Sequence, residues 1–405
     1  MAKPTLALIP ASQGSKLFSV LPSNGSGDFD FTRASAATRI NKNGFIETVA
    51  SGVSRLDYSG GGCPSLLLEH TATNLITYSE LFSDAYWTKA GSSVTSGSAS
   101  PSGDTSAFKL VEDTSTGGHL MQVVASVSNT TVYTASVFVK YAGREWIRFT
   151  DAQSSNRIHF NTQTGVFGVI SGTVIDYKST PLDNGWYKIS ITTASVATAY
   201  ALRVSLAETD NDTSYTGDGT SGIYIFGAQL EQGSYPTSYI PANGTTVTRL
   251  ADSANGSGDA TVINSTEGVL YFEGNAFSST GSSGLISLNA GATDLNNRVT
   301  VELDGANVKA RFVIGGTSLG VFNYATDITQ VLKIAVKYKA NDFALWVNGT
   351  ERVPLTSGNS FSANTLSELD FNRGDGQEPF IGNTNDLRVY ATALSDAELT
   401  TLTTI

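Results

Sequence analysis

Short runs of alternating side chains, broken every eight to twelve residues or so by glycine-rich turns, constrain this chain more than any other feature. Tyr133-Thr134-Ala135-Ser136-Val137-Phe138-Val139-Lys140 alternates with period two, the spacing of a strand with one face turned inward. Further strand candidates are Ala107–Val111, Trp146–Thr150, Arg157–Asn161, Trp186–Thr192, Ala199–Leu206 and Gly222–Glu231. Later in the chain come Gly268–Glu273, Gly284–Asn289, Arg298–Leu303, Val308–Ile314, Val331–Tyr338, Asp342–Val347 and Asp386–Tyr390. Asn348-Gly349 between Phe343–Val347 and Thr350–Val353 is a two-residue hairpin signal, since both residues tolerate the positive φ of a type I′ turn. Ser395-Asp396-Ala397-Glu398 opens a short helix, and Glu80–Tyr86 is a second helix candidate. No heptads occur, and no apolar stretch approaches the length of a membrane-spanning helix.

The composition agrees with an all-β reading. Of 405 residues 15% are charged and 10% aromatic, and 40 are glycine. That is too aromatic and too weakly charged for a disordered chain. The expected fold is two antiparallel β-sandwich (jelly-roll) domains in tandem after an irregular N-terminal anchor segment. The expected boundaries are 1–75 for the anchor, 76–242 for the first sandwich, 243–265 for a linker and 266–405 for the second sandwich. The string Asn-Gly-Ser-Gly-Asp occurs twice, at 24–28 and 255–259, and reads as two similar loops because its flanks diverge.

The net charge of −11 and the absence of a basic stripe argue against nucleic acid as a partner. They also argue against an anionic membrane surface. Lys140, Arg144 and Arg148 form the densest basic group. Cys63 is the only cysteine, so no intrachain disulfide is available. Thr5–Ile9 is too short for a signal-peptide core, and the expectation is synthesis in a host cytoplasm without a signal peptide.

Motifs with chemical meaning are few. Gly217-Asp218-Gly219-Thr220-Ser221-Gly222 spells a dinucleotide fingerprint, but the extended Ile223-Tyr224-Ile225-Phe226 follows it where a helix is required. Gly316-Thr317-Ser318-Leu319-Gly320 spells a nucleophile elbow and also continues extended. None of the three histidines (His70, His119, His159) has a triad context. Asp210, Asp212 and Asp218, with Asn211, place three carboxylates and an amide in one segment, a donor set that suits structural Ca²⁺. A solvated polar turn is the competing reading. Trp87, Trp146, Trp186 and Trp346 are the natural sugar-stacking candidates, each with a competing place in a core. Tyr215, Tyr235 and Tyr239 offer equivalent surfaces. Arg373-Gly374-Asp375 spells an integrin ligand by chance in a turn-rich segment.

Several longer strings carry a resemblance. Residues 382–399, a strand followed by a short helix, resemble the end of concanavalin-A-like and laminin-G-like jelly rolls. Asp30-Phe31-Thr32-Arg33-Ala34-Ser35-Ala36-Ala37-Thr38-Arg39, Pro64-Ser65-Leu66-Leu67-Leu68-Glu69 and Thr73-Asn74-Leu75-Ile76 resemble tailed-phage virion appendage proteins of the head-spike-fibre and tail-associated type. So does Gly222-Ile223-Tyr224-Ile225-Phe226-Gly227-Ala228-Gln229-Leu230-Glu231. The resemblance covers about residues 28–242, with the middle part like a carbohydrate-binding module. It implies a non-enzymatic structural protein on the virion surface that contacts host-surface glycans, binds other virion proteins through residues 1–75, and allows a homotrimer. No cofactor is implied beyond the calcium option. A ligand-free capsid decoration or cement protein is the alternative, and a glycan-cleaving tail enzyme the third reading.

Overall fold

The computed structural model describes residues 2–10, 12–13, 16–212, 214–292 and 294–405, with backbone alone at 12–13. Strands dominate, pairing in antiparallel ladders such as His119–Ser126 with Ala199–Ala207 and Glu267–Ala276 with Gly382–Tyr390, and among the described residues the one α-helix is Asp396–Thr403. The all-β sandwich expected from the alternation is what the chain forms. No helix among the described residues is long and apolar enough to cross a membrane.

The chain groups into two compact units in an order other than the contiguous one expected from sequence. One unit gathers Met1–Ala36, Val49–His70 and Leu250–Ile405; the other gathers Ala37–Thr48 and Thr71–Arg249. The physical reason is strand pairing across long sequence distances. In the first unit Leu6–Leu8 pairs with Leu387–Val389, and Leu66–Leu68 pairs with Gly382–Thr384. Strands from the first 75 residues thus complete a sheet that also holds Glu267–Ala276, Leu332–Lys339, Phe343–Val347 and Thr350–Leu355. A five-stranded sheet faces it, and a core that includes Leu6, Phe29, Leu68, Phe272, Phe312 and Leu387 fills the space between. The other face of the first sheet is covered by the C-terminal helix, whose Leu399 and Leu402 pack with Val269, Tyr271, Trp346 and Tyr390. Ser395 caps that helix: its hydroxyl accepts from the Glu398 N–H at 3.4 Å, and its own N–H donates to the Glu398 carboxylate at 3.1 Å. At the predicted hairpin, Asn348 and Gly349 have φ of 50° and 77°, as a type I′ turn requires. The two Asn-Gly-Ser-Gly-Asp loops meet, with the Gly258 N–H donating to the Ser26 carbonyl at 2.8 Å.

The second unit is a sandwich of two six-stranded sheets. One runs in the order Ser92–Ser98, Ala107–Glu112, Gly222–Gln232, Val132–Ala142, Tyr187–Ala194, Val174–Pro181. The other, here the site sheet, runs Thr88–Ala90, His119–Ser126, Ala199–Ala207, Trp146–Asp151, Asn156–Asn161, Phe167–Ser171. Their inner faces interdigitate through Leu110, Val137, Ile189 and Ile225 on one side and Met121, Phe149, Phe160 and Leu202 on the other. Gly227 sits at φ 59° in the long Gly222–Gln232 strand, where the register to Val132–Ala142 shifts. A Cβ there would stand about 3.0 Å from Phe138 and 3.1 Å from Tyr239. The outer face of the first sheet is apolar and covered: Ile46, Ala107, Phe138, Trp186, Phe226 and Tyr239 form a second small core on it. Among the described residues the outer face of the site sheet carries no such core; it bears polar side chains together with Leu120, Trp146 and the exposed Val124.

The segment Glu80–Tyr86 is a series of turns where a helix was expected. Its N–H bonds span two or three residues, as in Asp84 N–H to the Leu81 carbonyl and Trp87 N–H to the Asp84 carbonyl, both at 3.1 Å. The Asp84 carboxylate takes the Tyr86 N–H at 2.8 Å, and Phe82 and Trp87 turn into the core, which fixes a turn.

Candidate functional site

The outer face of the site sheet is built by alternation. Ile147 and Phe149, Ile158 and Phe160, Leu202 and Val204, and Met121 and Val123 all point into the sandwich core. The residues between and beside them must therefore point outward. These are Trp146, Arg148, Thr150, Arg157, His159, Asn161, Arg203, Ser205 and Gln122. Ladder register sets them in rows. Leu120, Ser205, Arg148 and His159 form one row; Gln122, Arg203, Thr150 and Arg157 form the next. Trp146, between Ala207 and Asn161, stands in a third row, two residues from Arg148 along the same strand. Two residues along a strand span ~6.6 Å and neighbouring strands lie ~4.8 Å apart, so this is a patch of roughly 13 by 14 Å.

The patch is unusual in its hydrogen bonding. Five buried polar atoms on it have no partner among the described residues: Arg148 Nε, Arg157 Nε, Thr150 Oγ1, His159 Nε2 and Ser205 Oγ. His159, Thr150 and Ser205 are 0%, 6% and 4% exposed. Buried polar groups are otherwise nearly always satisfied, and leaving one unmet costs ~1–3 kcal/mol. Arg203 alone of the three arginines is engaged by a side chain, giving Nε and Nη2 to Gln122 Oε1 at 2.8 and 2.6 Å. His159 donates Nδ1–H to the Val169 carbonyl at 2.8 Å, because a carbonyl only accepts, which leaves Nε2 bare in the neutral ring.

Electrostatics follow from this crowding. Burial first, then the charges of Arg157 and Arg203, hold the Arg148 guanidinium below its ordinary pKa. Burial is also the main cause that lowers His159, aided by Arg148 and Arg157 and opposed by the Val169 hydrogen bond and Asp210.

The other residues singled out in the sequence fall elsewhere. Asp210 accepts the Val169 N–H at 2.9 and 3.1 Å, and Asp212 accepts the Ser214 N–H at 3.1 Å. Asp218 accepts from the Thr220 N–H (2.7 Å), the Ser221 N–H (2.6 Å) and the Ser221 hydroxyl (2.6 Å). Those bonds, the Ser221 hydroxyl foremost, push its pKa far below the carboxylate range. Among the described residues no three His, Cys, Asp or Glu gather where a metal ion could be held, so the expected calcium set is not assembled. Trp87, Trp186 and Trp346 are buried at 2%, 1% and 5% exposure, whereas Trp146 is half-buried on the outer face. Tyr215 and Tyr239 are buried, the first donating to Glu112 Oε2 at 2.6 Å; Tyr235 is half-buried. His119 lies under the sheet rim with Nδ1 2.6 Å from the Gly91 carbonyl, and His70 is half-buried. Gly222–Gln232 follows the glycine string as a strand, and Ser318 lies within the Thr317–Ala325 strand. Arg373 and Asp375 pair with one another at 2.7 Å. Cys63 is exposed in a loop.

No family model matches the chain, and no curated protein does. Similar solved structures include the CBM40 domain of the Ruminococcus gnavus IT-sialidase bound to α2,3-sialyllactose. It is 19% identical, covers 36% of this chain and 86% of that one, and has a TM-score of 0.31. Domain 4 of a GH43 extracellular arabinanase from Geobacillus stearothermophilus, in complex with arabinotriose, is 18% identical over 42% of this chain and 80% of its own, also with a TM-score of 0.31. Mouse laminin α1 domains LG4-5 are 11% identical over 68% and 90%, with a TM-score of 0.24. Likeness at these values leaves function to the chemistry of the patch itself.

Proposed function

We propose that this chain is a non-enzymatic surface protein of a bacteriophage particle, of tail-fibre, tail-tip or head-fibre type, which takes part in adsorption by holding glycans on the outer face of the site sheet. One observation carries the binding part: five unpartnered polar atoms lie in two adjacent rows beside Trp146, the one tryptophan of the four that is not buried. A saccharide brings both hydroxyls for those atoms and an apolar ring face for an indole. The phage part is supported by the resemblance of residues 28–242 to virion appendage proteins. Attachment to other virion proteins through residues 1–75, and a homotrimer, belong to the same proposal. Useful avidity would come from many copies on one particle.

The test is adsorption competition with purified full-length protein, the phage that carries it and its host cells. Binding to cells with loss of phage adsorption is the expected result. Binding to phage particles alone, with no competition, would overturn the adsorption role in favour of a ligand-free decoration or cement protein. A fall in polysaccharide viscosity on incubation would overturn the non-enzymatic reading.

A further inference from the structure

The patch carries more positive charge than a neutral sugar calls for. Several arginines elsewhere in the molecule are met by a carboxylate, among them Arg311 by Glu302 at 3.1 Å, Arg144 by Glu112 at 2.5 Å and Arg39 by Glu47 at 3.0 Å, while Arg352 lies over the Tyr324 ring and Arg298 donates to the Leu295 carbonyl. Arg148, Arg157 and Arg203 have no such partner among the described residues, although the chain as a whole is acidic at −11. Arg203 is held by Gln122, so the free forks are those of Arg148 and Arg157, on neighbouring strands and adjacent rows. Between and beside them stand the neutral orphans Thr150 Oγ1, Ser205 Oγ and His159 Nε2. Guanidinium forks match a planar carboxylate in two-point contacts. Isolated hydroxyl and imidazole atoms interleaved with them match the hydroxyls of the ring that carries it. The net negative charge of the chain disfavours a long polyanion, while three arginines suffice for a single charge.

Resting on the glycan-binding reading above, we infer that the ligand is an acidic saccharide whose carboxylate lies between the guanidinium groups of Arg148 and Arg157, with His159 Nε2 beside it and Thr150 and Ser205 taking hydroxyls. Binding is then coupled to a proton. The charged groups that face His159 are Arg148 across the ladder, Arg157 two residues away on its own strand and Asp210 from the loop after the Ala199–Ala207 strand. In the free protein burial and the two arginines favour the neutral ring. A carboxylate arriving at Nε2 favours the imidazolium, so the complex takes up a proton. Affinity for the acidic sugar therefore rises as pH falls through the His159 pKa of the complex, and levels off below that of the free protein.

The experiment is calorimetric titration of the full-length protein with uronic and sialic acid oligosaccharides, each set against its own methyl ester, and with sodium sulfate and inorganic phosphate. The acid form is expected to bind about tenfold or more tightly than its ester, a difference of about 1.4 kcal/mol. Its affinity is expected to weaken with salt and to rise several-fold from pH 7.5 to 5.5. Arg148→Gln and Arg157→Gln each collapse the acid-to-ester ratio toward one. Arg148→Lys, which keeps the charge but not the fork, gives an intermediate ratio and covers the case in which the glutamine variant fails to fold. His159→Gln removes the pH dependence. Equal binding of acid and ester overturns the inference and leaves the glycan reading standing. Sulfate or phosphate competing as well as the acidic sugar overturns it in favour of a bare anion site. An acid preference that survives both arginine substitutions places the seat elsewhere and also overturns it. No binding by any pair removes the glycan reading, and the inference with it.

Discussion

Two groups of arginines put the same side chain to opposite uses. In the first unit Arg33 and Arg55 are buried at 2% and 0% exposure and are locked to acids. Arg33 Nη1 meets Asp252 Oδ1 at 3.0 Å, Arg55 Nη1 meets Glu69 Oε2 at 2.5 Å, and Arg55 Nη2 pairs with Asp252 as well. The Glu69 N–H adds a bond to Asp252 at 2.9 Å, and Arg33 reaches the Ala50 carbonyl at 2.7 Å. This network ties four separate chain segments together. In the second unit Arg148 and Arg157 stand half-buried on a sheet face with no acid opposite. On the proposed reading, the presence of a facing carboxylate, and not burial alone, separates an internal strut from a binding group.

The strut should break hardest. Asp252→Ala takes the facing acid from Arg33 and leaves Arg55 with Glu69 alone, and loss of one member of a buried ion pair costs ~3–5 kcal/mol. Denaturant unfolding should show that loss, together with exchange of amide hydrogens in Leu6–Leu8 and Ser65–Leu68. A loss below ~1 kcal/mol would mean that the network is solvated and that the comparison fails. Next comes Trp146→Ala. An aromatic face contact contributes ~0.5–1.5 kcal/mol, so glycan affinity should fall up to about tenfold with the melting temperature little changed. Unaltered affinity would remove Trp146 from the site. Smaller again is Arg311→Gln, which breaks a partly exposed pair with Glu302. Such pairs contribute ~0.2–1 kcal/mol, so stability should drop by no more than that, with glycan binding unchanged.

Much of the fold could be read along the chain because strands write their own period. The alternation at Tyr133–Lys140 and the expected strands at Trp146–Thr150 and Gly222–Glu231 are observed as strands at Val132–Ala142, Trp146–Asp151 and Gly222–Gln232. The Asn348-Gly349 hairpin and the Ser395 cap were legible for the same local reason. What was hidden is pairing at a distance. Nothing in Leu6–Leu8 announces a partner some 380 residues away. The site was hidden likewise. Arg148, Arg157 and Arg203 are scattered in sequence and become neighbours through two ladders. The densest basic group in the sequence misled in part, since Arg144 is consumed by Glu112 and Arg148 alone of the three stands on the patch. A usable signal did exist. Ile147-Arg148-Phe149, Arg157-Ile158-His159-Phe160 and Leu202-Arg203-Val204 each set a basic residue beside or between core residues in a strand, which forces it onto the outer face. Collecting the outward residues of the Trp146–Asp151 and Asn156–Asn161 strands, which follow one another in sequence, would have brought Arg148, Arg157 and His159 together; Arg203 joins them only through the ladder to Ala199–Ala207.

The smallest predicted effect tests the comparison most sharply, because it fixes a sign. Arg157→Gln removes a charge that depresses both Arg148 and His159. If the patch were a structural element, losing it should destabilise the protein, as Asp252→Ala does in the strut. If the patch is kept for a ligand, its like charges are a standing cost in the free protein, and functional sites often retain such costs. Stability should then stay within ~0.5 kcal/mol of the parent or rise slightly, the range of a substitution with no structural partner to lose. The gain should shrink in high salt, where repulsion between the arginines is screened. Thermal unfolding of parent and variant at low and high ionic strength reads both sign and screening, and a clear destabilisation at low salt would move Arg157 from the binding group to the struts.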